Sequence, residues 1–314
     1  MGILGDAMSR NDSRLSVALG FKPGERVVIV HCDDVGLCHA ANVGAFEALD
    51  HGPATCGSVM VPCPGFDEAA EMARARPEVD LGVHLTLNAE FDQYRWGPVL
   101  DPAEVPSLVG ADGHFFQTTG ETLSQADPGE ADQELRAQIQ RALDAGIDVT
   151  HLDAHMGTAM LPPLHDVYVQ LAIDYRLPVF FFRPEQGLLA RMGLEPMATL
   201  AREVADRLDS HGIPVLDGFD ADSLGFAPGE GEAHNRHRLR GLVDGLNYLI
   251  CHPARGGEEL SAITDSAHCR DFERRFYGGQ DGVDALRDEG LRTLGMRALR
   301  EWMRGTAGMG GRGK

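Results

Sequence analysis

Short apolar runs rich in β-branched and aromatic residues alternate with longer stretches of helical spacing along most of this chain. Such alternation is typical of repeated strand and helix units built around a parallel sheet, and it constrains the fold more than any other feature. The runs predict seven strands and a weaker eighth near Leu294, at 27–31, 55–61, 81–87, 148–153, 179–182, 215–216 and 248–251. We therefore expect an α/β fold, a TIM-like (β/α) barrel of seven or eight imperfect units.

Helical spacing between these runs predicts five helices, at 40–49, 66–75, 130–145, 164–175 and 197–210. The third is the best marked, because Asp127 and Pro128 open it and Gly146 closes it. Residues 88–128 show no convincing helix or strand, and a long loop after a strand is typical of a lid or wall of a functional site. We expect one barrel domain over 26–304, an N-terminal tail over 1–25 and a flexible Gly-rich tail over 305–314.

Charge excludes several partners. The 314 residues include 48 acidic and 28 basic side chains, for a formal net charge of −20. Such a field repels phosphate backbones and anionic headgroups, so we expect neither nucleic acid nor a membrane surface as a partner. The start lacks a secretory signal pattern and no apolar run approaches a bilayer span, so we expect a cytoplasmic protein, with a homo-oligomer left open. The six cysteines lack CxxC spacing, and we expect reduced core thiols.

Polar clusters follow the predicted strands at their carboxyl ends, where barrels and open parallel sheets place their active sites. The first strand runs into His31, Asp33 and Asp34. Two adjacent carboxylates repel each other and lose hydration there unless a cation or a proton neutralises one of them. The alternative is that one of the two aspartates caps the following helix.

Period-two alternation places polar side chains on common faces of two further strands. In LGVHLTLN it groups His84 with Gly82 and Thr86, and in VTHLDAHMG it groups His151, Asp153 and His155. Alone, a histidine such as His84 is at least as often a core residue as a ligand. Together, Asp34, His84 and His155 would form a two-histidine, one-carboxylate metal site with a position open for water or substrate.

The segments VIVHCDDVGLCHAAN, LGVHLTLN, THLDAH and LICHP, in this order, resemble the YdjC/ChbG family of carbohydrate deacetylases over roughly residues 26–304. The resemblance implies a (β/α) barrel and metal-dependent removal of an acetyl group from an N-acetylated sugar. It implies one divalent metal ion, with zinc and magnesium both open, held by Asp34, His84 and His155. It also implies that Asp33 is the general base and His252 the general acid.

Departures from the family pattern leave the substrate open. Val35 replaces an aromatic residue, and Gly157 and Ala159 replace histidines, so a chitin disaccharide is only one candidate. A hydrolase of another amide or ester bond and a non-catalytic sugar-binding relative are the alternatives. Remaining polar residues near the predicted rim are candidates for substrate binding, with a structural ion pair or surface solvation as the alternative: Arg183, Asp265 and Arg270. His151 and Asp153 either support His155 or contact the metal.

Overall fold

The computed structural model describes residues 14–183 and 195–305, and its centre is a parallel β-sheet. The seven strands are β1 (Arg26–Val35), β2 (Cys56–Val59), β3 (Leu81–Leu85), β4 (Val149–Ala154), β5 (Gly218–Asp220), β6 (Gly245–Cys251) and β7 (Arg292–Thr293). Their hydrogen-bonded order is β4-β3-β2-β1-β6-β5, and β7 pairs with β1. All pairs are parallel, as the alternating pattern predicted.

Twelve α-helices accompany the strands in the described part of the chain. They are α1 (Arg14–Ala18), α2 (His39–His51), α3 (Phe66–Arg74), α4 (Thr119–Gln125), α5 (Pro128–Asp144), α6 (His165–Tyr175), α7 (Ala198–Ser210), α8 (Gly231–Arg240), α9 (Glu258–Ile263), α10 (Ala267–Tyr277), α11 (Gln280–Asp288) and α12 (Met296–Met303). The five helices predicted from spacing correspond to α2, α3, α5, α6 and α7. The helix α5 begins as predicted, with the Asp127 side chain accepting the backbone N–H groups of Gly129 and Glu130.

The first strand is buried on both faces, and each face packs into a different core. Val28 and Val30 belong to the large core between strands and helices, whereas Val27 and Ile29 belong to a second core on the other face of the sheet. Burial of both faces explains why these strands read as continuous apolar runs. By period two, His31 and Asp33 continue the face of Val27 and Ile29, so the second core lies directly beneath the polar strand ends.

Two of the expected strands, 179–182 and 215–216, are present only as isolated parallel bridges. Leu152 of β4 pairs with Val179, and Phe182 pairs with Leu216. Backbone hydrogen bonds accompany both bridges, from Phe180 N–H to the Leu152 carbonyl and from Leu216 N–H to the Phe181 carbonyl. These contacts lie between β4 and β5, the two ends of the hydrogen-bonded strand order.

Several expectations are corrected by the structure. The 88–128 segment contains α4, which a capping box between Thr118 and Glu121 begins, so it is not wholly irregular. The expected N-terminal tail contains α1, and Leu15 and Phe21 pack against the second core. Residues 1–13, 184–194 and 306–314, which include nearly all of the expected C-terminal tail, lie outside the described residues.

All six cysteines fall within the described residues, and each is buried and free, as expected of core thiols. Across 14–183 and 195–305, no helix has the length and apolar character that crossing a bilayer requires.

Candidate active site

A bulge at the end of β1 brings two adjacent aspartates into one site. The pairing of β1 with β2 shifts register between Cys32 and Val35, and Asp34 has a left-handed φ of 64°. A regular strand would point Asp33 and Asp34 to opposite faces, whereas a bulge re-aims a side chain. Here Asp33 Oδ2 and Asp34 Oδ1 lie 3.9 and 3.6 Å from the same atom, His84 Nε2.

The structure brings Asp34, His84 and His155 together at the carboxyl ends of β1, β3 and β4. His155 Nδ1 lies 3.5 Å from Asp34 Oδ1 and 3.3 Å from His84 Nε2. One potential ligand atom from each of the three residues lies within 4.8 Å of the others. All three side chains are buried. Two imidazole nitrogens and a carboxylate oxygen converging at this spacing form a donor set suited to a divalent cation.

Each of these three residues contacts a charged partner through its other ring nitrogen or carboxylate oxygen. His84 Nδ1 lies 3.0 Å from Asp153 Oδ1, and His155 Nε2 lies 2.9 Å from Glu90 Oε2. Arg270 donates from Nη1 to Asp34 Oδ2 at 2.7 Å. Carboxylates behind ligating histidines fix the ring orientation and raise ligand basicity, so the surroundings fit a cation as well as the three donors do.

The same partners set the ionisation of the three residues. Although burial opposes it, the Arg270 guanidinium helps to hold the pKa of Asp34 well below its usual range. Burial also opposes protonation of His155, yet the Glu90 and Asp34 carboxylates raise its pKa to about 10. Asp153 and Asp33 likewise raise the pKa of His84 against the effect of burial. Without a cation, the His155 ring is therefore protonated near neutral pH, and a cation would have to displace one of its protons.

Asp33 presents its two oxygens to different neighbours. Oδ1 lies 2.6 Å from His31 Nδ1, within hydrogen-bond distance. Oδ2 faces the site, 3.9 Å from His84 Nε2 and 4.0 Å from His252 Nε2. One oxygen is thus anchored while the other is directed at the place where a water or a substrate would bind.

His252 follows β6 and is oriented by a buried network. Its Nδ1 lies 2.8 Å from Ser223 Oγ, and Ser223 donates to Glu273 Oε2 at 2.7 Å. Because the single hydroxyl proton goes to Glu273, Ser223 accepts from His252 Nδ1–H, which leaves the Nε2 lone pair facing Asp33. Burial lowers the pKa of His252 to about 4, so the ring is neutral near pH 7.

The residues predicted to bind substrate lie in three different environments. Arg183 is exposed and donates to both oxygens of Asp209, at 2.9 and 3.2 Å. Asp265 is exposed in the turn before α10. Arg270 is buried against Asp34, so its position supports the carboxylate and does not line an open surface.

Sequence reasoning missed several residues of the site. Ser58 donates to Asp153 Oδ2 at 2.9 Å, and its inward position in β2 is visible in the alternation of that strand. Glu90 comes from the long loop after β3, where no periodic pattern indicates direction. Ser223 and Glu273 are brought to His252 from distant segments by tertiary packing alone.

Fold and site together define a class: an α/β protein with a parallel sheet whose strand ends carry a cluster of carboxylates and histidines suited to a divalent cation. Residues 27–304 match the family model described as YdjC-like protein. The chain belongs to this family.

Three similar relatives are named carbohydrate deacetylase. A carbohydrate deacetylase of Thermus thermophilus is 36% identical over 251 residues, which cover 77% of this chain and 83% of the relative. Carbohydrate deacetylases of Geobacillus stearothermophilus and Thermoanaerobacter pseudethanolicus are 31% and 25% identical, over 73% and 85% of this chain and 80% and 96% of their own lengths.

A solved structure shares the fold. The crystal structure of an Enterococcus faecalis V583 protein named for cellobiose-phosphate cleavage superimposes with a TM-score of 0.71 at 23% identity. The match covers 88% of this chain and 99% of that one.

Proposed function

We propose that this protein is a metal-dependent hydrolase that removes the acetyl group from an N-acetylated sugar or oligosaccharide. The observation that carries the proposal is the convergence of Asp34, His84 and His155 beside an anchored Asp33. Membership of the YdjC-like family and relatives named carbohydrate deacetylases support the substrate class. Zinc and magnesium both remain candidates for the cation, and the cytoplasm remains the expected location.

Asp34, His84 and His155 would hold the cation, which when bound would lower the pKa of a water and polarise the acetyl carbonyl. Arg270 keeps the second oxygen of Asp34 occupied, so that its first oxygen stays directed at the two histidines. Asp153 contacts the His84 ring and Glu90 contacts the His155 ring, and these contacts orient the two rings.

Asp33 is the proposed general base, and its free Oδ2 is the oxygen that would take the proton of the attacking water. His252 is the proposed general acid. Because its ring starts neutral, it must gain a proton during the reaction, and Asp33 Oδ2 lies 4.0 Å from its Nε2. The proton taken from water by Asp33 can therefore pass to His252 and then to the departing amine nitrogen, which balances the hydrolysis without an outside acid.

Sugar recognition is assigned to the surface around this site. Asp265 and Arg183 remain candidate substrate contacts at exposed positions, whereas Arg270 is assigned to the support of Asp34. We further propose that the sheet closes as a seven-stranded barrel. In this barrel 179–182 is the seventh strand, between β4 and the segment 215–216 that leads into β5, and β7 lies outside the ring. The bridges from Leu152 to Val179 and from Phe182 to Leu216 support this closure.

Product analysis on a panel of N-acetylated sugars and short oligosaccharides tests the function. Purified protein with added Zn²⁺ or Mg²⁺ should release acetate and free amine in equal amounts from at least one member. An O-acetylated sugar and a sugar phosphate serve as matched controls for ester and phosphoester cleavage. Cleavage of only a control would transfer the proposal to that bond, and binding of sugars without any cleavage would favour the sugar-binding alternative.

A further inference from the structure

A row of buried polar residues, linked by close contacts, extends from Asp33 through the interior of the sheet. His31 contacts Asp33, and its other nitrogen, Nε2, lies 2.8 Å from His151 Nε2. His151 Nδ1 lies 2.8 Å from Thr150 Oγ1, and Thr150 Oγ1 contacts Asp80 Oδ1. His31, His151 and Thr150 are completely buried, so each hydrogen bond in this row has to be made within the protein.

The far end of this row lies at the amino-terminal ends of the strands. Asp80 precedes β3, and it lines a surface cavity of about 210 Å³ together with Thr55 and the exposed residues Asp50 and Glu78. The amino-terminal ends of β2 and β3 surround this cavity. The row therefore links the proposed base, at the carboxyl ends of the strands, to the amino-terminal ends of the strands.

With both imidazole rings neutral, each ring in this row has one hydrogen to donate, so the hydrogens run in one direction. A neutral imidazole has one N–H and one acceptor nitrogen, and a hydroxyl has one proton. If His151 donates to His31 through Nε2, its Nδ1 must accept from Thr150, and Thr150 must then accept from a protonated Asp80. His31 is left with Nδ1–H, which is the donor that Asp33 Oδ1 requires.

The surroundings of Asp80 suit a protonated carboxyl group. Its Oδ2 accepts the backbone N–H of Arg297 at 2.6 Å, which leaves Oδ1 to carry a hydrogen toward Thr150. Burial raises the pKa of Asp80, which is the direction that favours its acid form, and burial lowers the pKa of His151 well below its usual range, which favours a neutral ring. The nearby Arg297 guanidinium opposes protonation of Asp80, but it is paired with Asp148.

The distance between ring nitrogens distinguishes this row of residues from a second cation site. His31, Cys56 and His151 present potential ligand atoms within 4.8 Å of one another. Ligand nitrogens that share a zinc ion at about 2.0–2.1 Å must stand more than 3 Å apart. His84 and His155 meet that condition at 3.3 Å, whereas His31 and His151 approach to 2.8 Å, the distance of a direct hydrogen bond.

We propose that Asp80, Thr150, His151 and His31 form a directional hydrogen-bond chain whose hydrogens all point toward Asp33. The four are positioning residues: they fix His31 in the Nδ1–H form, which anchors Asp33 Oδ1 and keeps Oδ2 directed at the substrate. The catalytic consequence rests on the proposed function of Asp33, whereas the direction of the chain does not.

The direct test is the tautomer of His31, read from 15N–1H correlation spectra of Zn²⁺-loaded protein with 15N-labelled histidine. The His31 signals are identified by their loss in His31→Gln. Wild-type protein should show Nδ1–H at His31, and Thr150→Val should convert it to a mixture with Nε2–H. Thr150→Ser, which restores the hydroxyl, should restore the wild-type signal, and Thr55→Val, which removes a hydroxyl bonded to the Val30 backbone, should leave it unchanged.

Asp80→Asn tests the direction itself. An asparagine can donate to Thr150 and still accept from Arg297 N–H, so it should keep the His31 Nδ1–H signal. If Asp80 is instead an ionised acceptor, the reversed chain places the hydrogen on His31 Nε2, and Asp80→Asn would shift the signal. That result, or a Thr150→Val spectrum identical to the wild type, would overturn the proposal.

Kinetics and metal content separate this proposal from the proposed function. Thr150→Val should lower kcat about 10-fold with little change in KM, as loss of an outer-shell partner commonly does. Normal kcat in Thr150→Val would remove the positioning role, whereas an inactive wild type would remove the proposed function and leave the tautomer test intact. Two metal ions per chain, with one lost in His151→Gln, would show a second cation site and overturn the chain.

Discussion

At the scale of single residues, two adjacent aspartates have different environments and hence different uses. Asp34 lies between Arg270 and the two histidines, which favours a fixed, ionised ligand. Asp33 contacts His31 through one oxygen and leaves the other facing His252. The bulge in β1 allows both side chains to reach one site.

These different environments predict that substitution of the two aspartates has different effects on metal binding and activity. Asp33→Asn should retain the metal but lower the rate of acetate release by at least about 100-fold, because general base catalysis is worth roughly that much or more. Asp34→Asn should lose metal and activity together. Metal analysis and acetate assays on both variants check this, and an active Asp33→Asn enzyme would exclude Asp33 as the base.

Metal binding should depend on pH through His155. Glu90 and Asp34 raise its pKa to about 10 despite burial, so near neutral pH the metal-free ring is protonated and binding must release a proton. The affinity for Zn²⁺ should therefore rise with pH, by about tenfold per pH unit for each proton released, between about pH 6 and pH 7.5.

Calorimetry in two buffers of different ionisation enthalpy measures this proton release. Glu90→Gln is the matched variant, because it removes the carboxylate that raises the pKa of His155 and should release fewer protons on binding Zn²⁺. Identical affinity at both ends of the pH range in the wild type would contradict the assignment of His155 as a ligand.

Several site residues could be predicted from sequence because strand periodicity determines the direction of a side chain. His84, His151, Asp153 and His155 follow from alternation within β3 and β4 and its continuation beyond β4. Glu90 could not be predicted, because a loop has no such period. Arg270 was predicted to line the sugar site, but its position depends on how α10 packs, which no local pattern indicates.

At the scale of elements, a buried ion-pair network joins α8, α10 and the end of β6. Arg238 of α8 donates to Glu273 of α10 at 3.0 Å and to Asp220 at 2.6 Å, and it also contacts the Ile250 carbonyl. Glu273 in turn accepts the backbone N–H of His252 at 2.7 Å. The packing of two helices thus determines where His252 lies.

Breaking this network should destabilise the protein. Arg238→Met leaves the fully buried Glu273 carboxylate without its cation, and we expect the free energy of unfolding to fall by about 3 kcal/mol. Arg236→Met is the control on the same helix, since its partners Glu232 and Asp288 are exposed, and it should cost less than about 1 kcal/mol. Urea unfolding followed by circular dichroism measures both, and equal losses would contradict the network's importance.

Elements with strong periodicity were predicted more reliably than short ones. The strands β1 to β4 and helices such as α5 fall where apolar spacing and capping residues indicate. The helices α8 to α12 were not predicted. Weak apolar spacing accounts for α8 and a length of six residues for α9, whereas α10, α11 and α12 have an amphipathic pattern that could have predicted them. The capping box of α4 was a readable signal within 88–128 that was not used.

At the scale of the whole molecule, the parallel arrangement gathers the chemistry at one end. Asp34, His84 and His155 are distant in sequence, yet they meet because the carboxyl ends of parallel strands lie at one edge of the sheet. The α/β class with a parallel sheet could be predicted from alternation alone. The isolated bridges at Val179 and Leu216 could not, because short apolar runs do not reveal how many ladder hydrogen bonds they form.

One divalent cation, held by Asp34, His84 and His155, would be required for the proposed deacetylation. The most direct test of this requirement is titration of chelator-treated protein with Zn²⁺ while bound metal and acetate release are measured together, beside Asp34→Ala. Acetate release should rise in proportion to bound metal and level off at one equivalent per chain, and Asp34→Ala should show neither. Full activity in metal-free protein, or metal binding and activity unchanged in Asp34→Ala, would contradict the account.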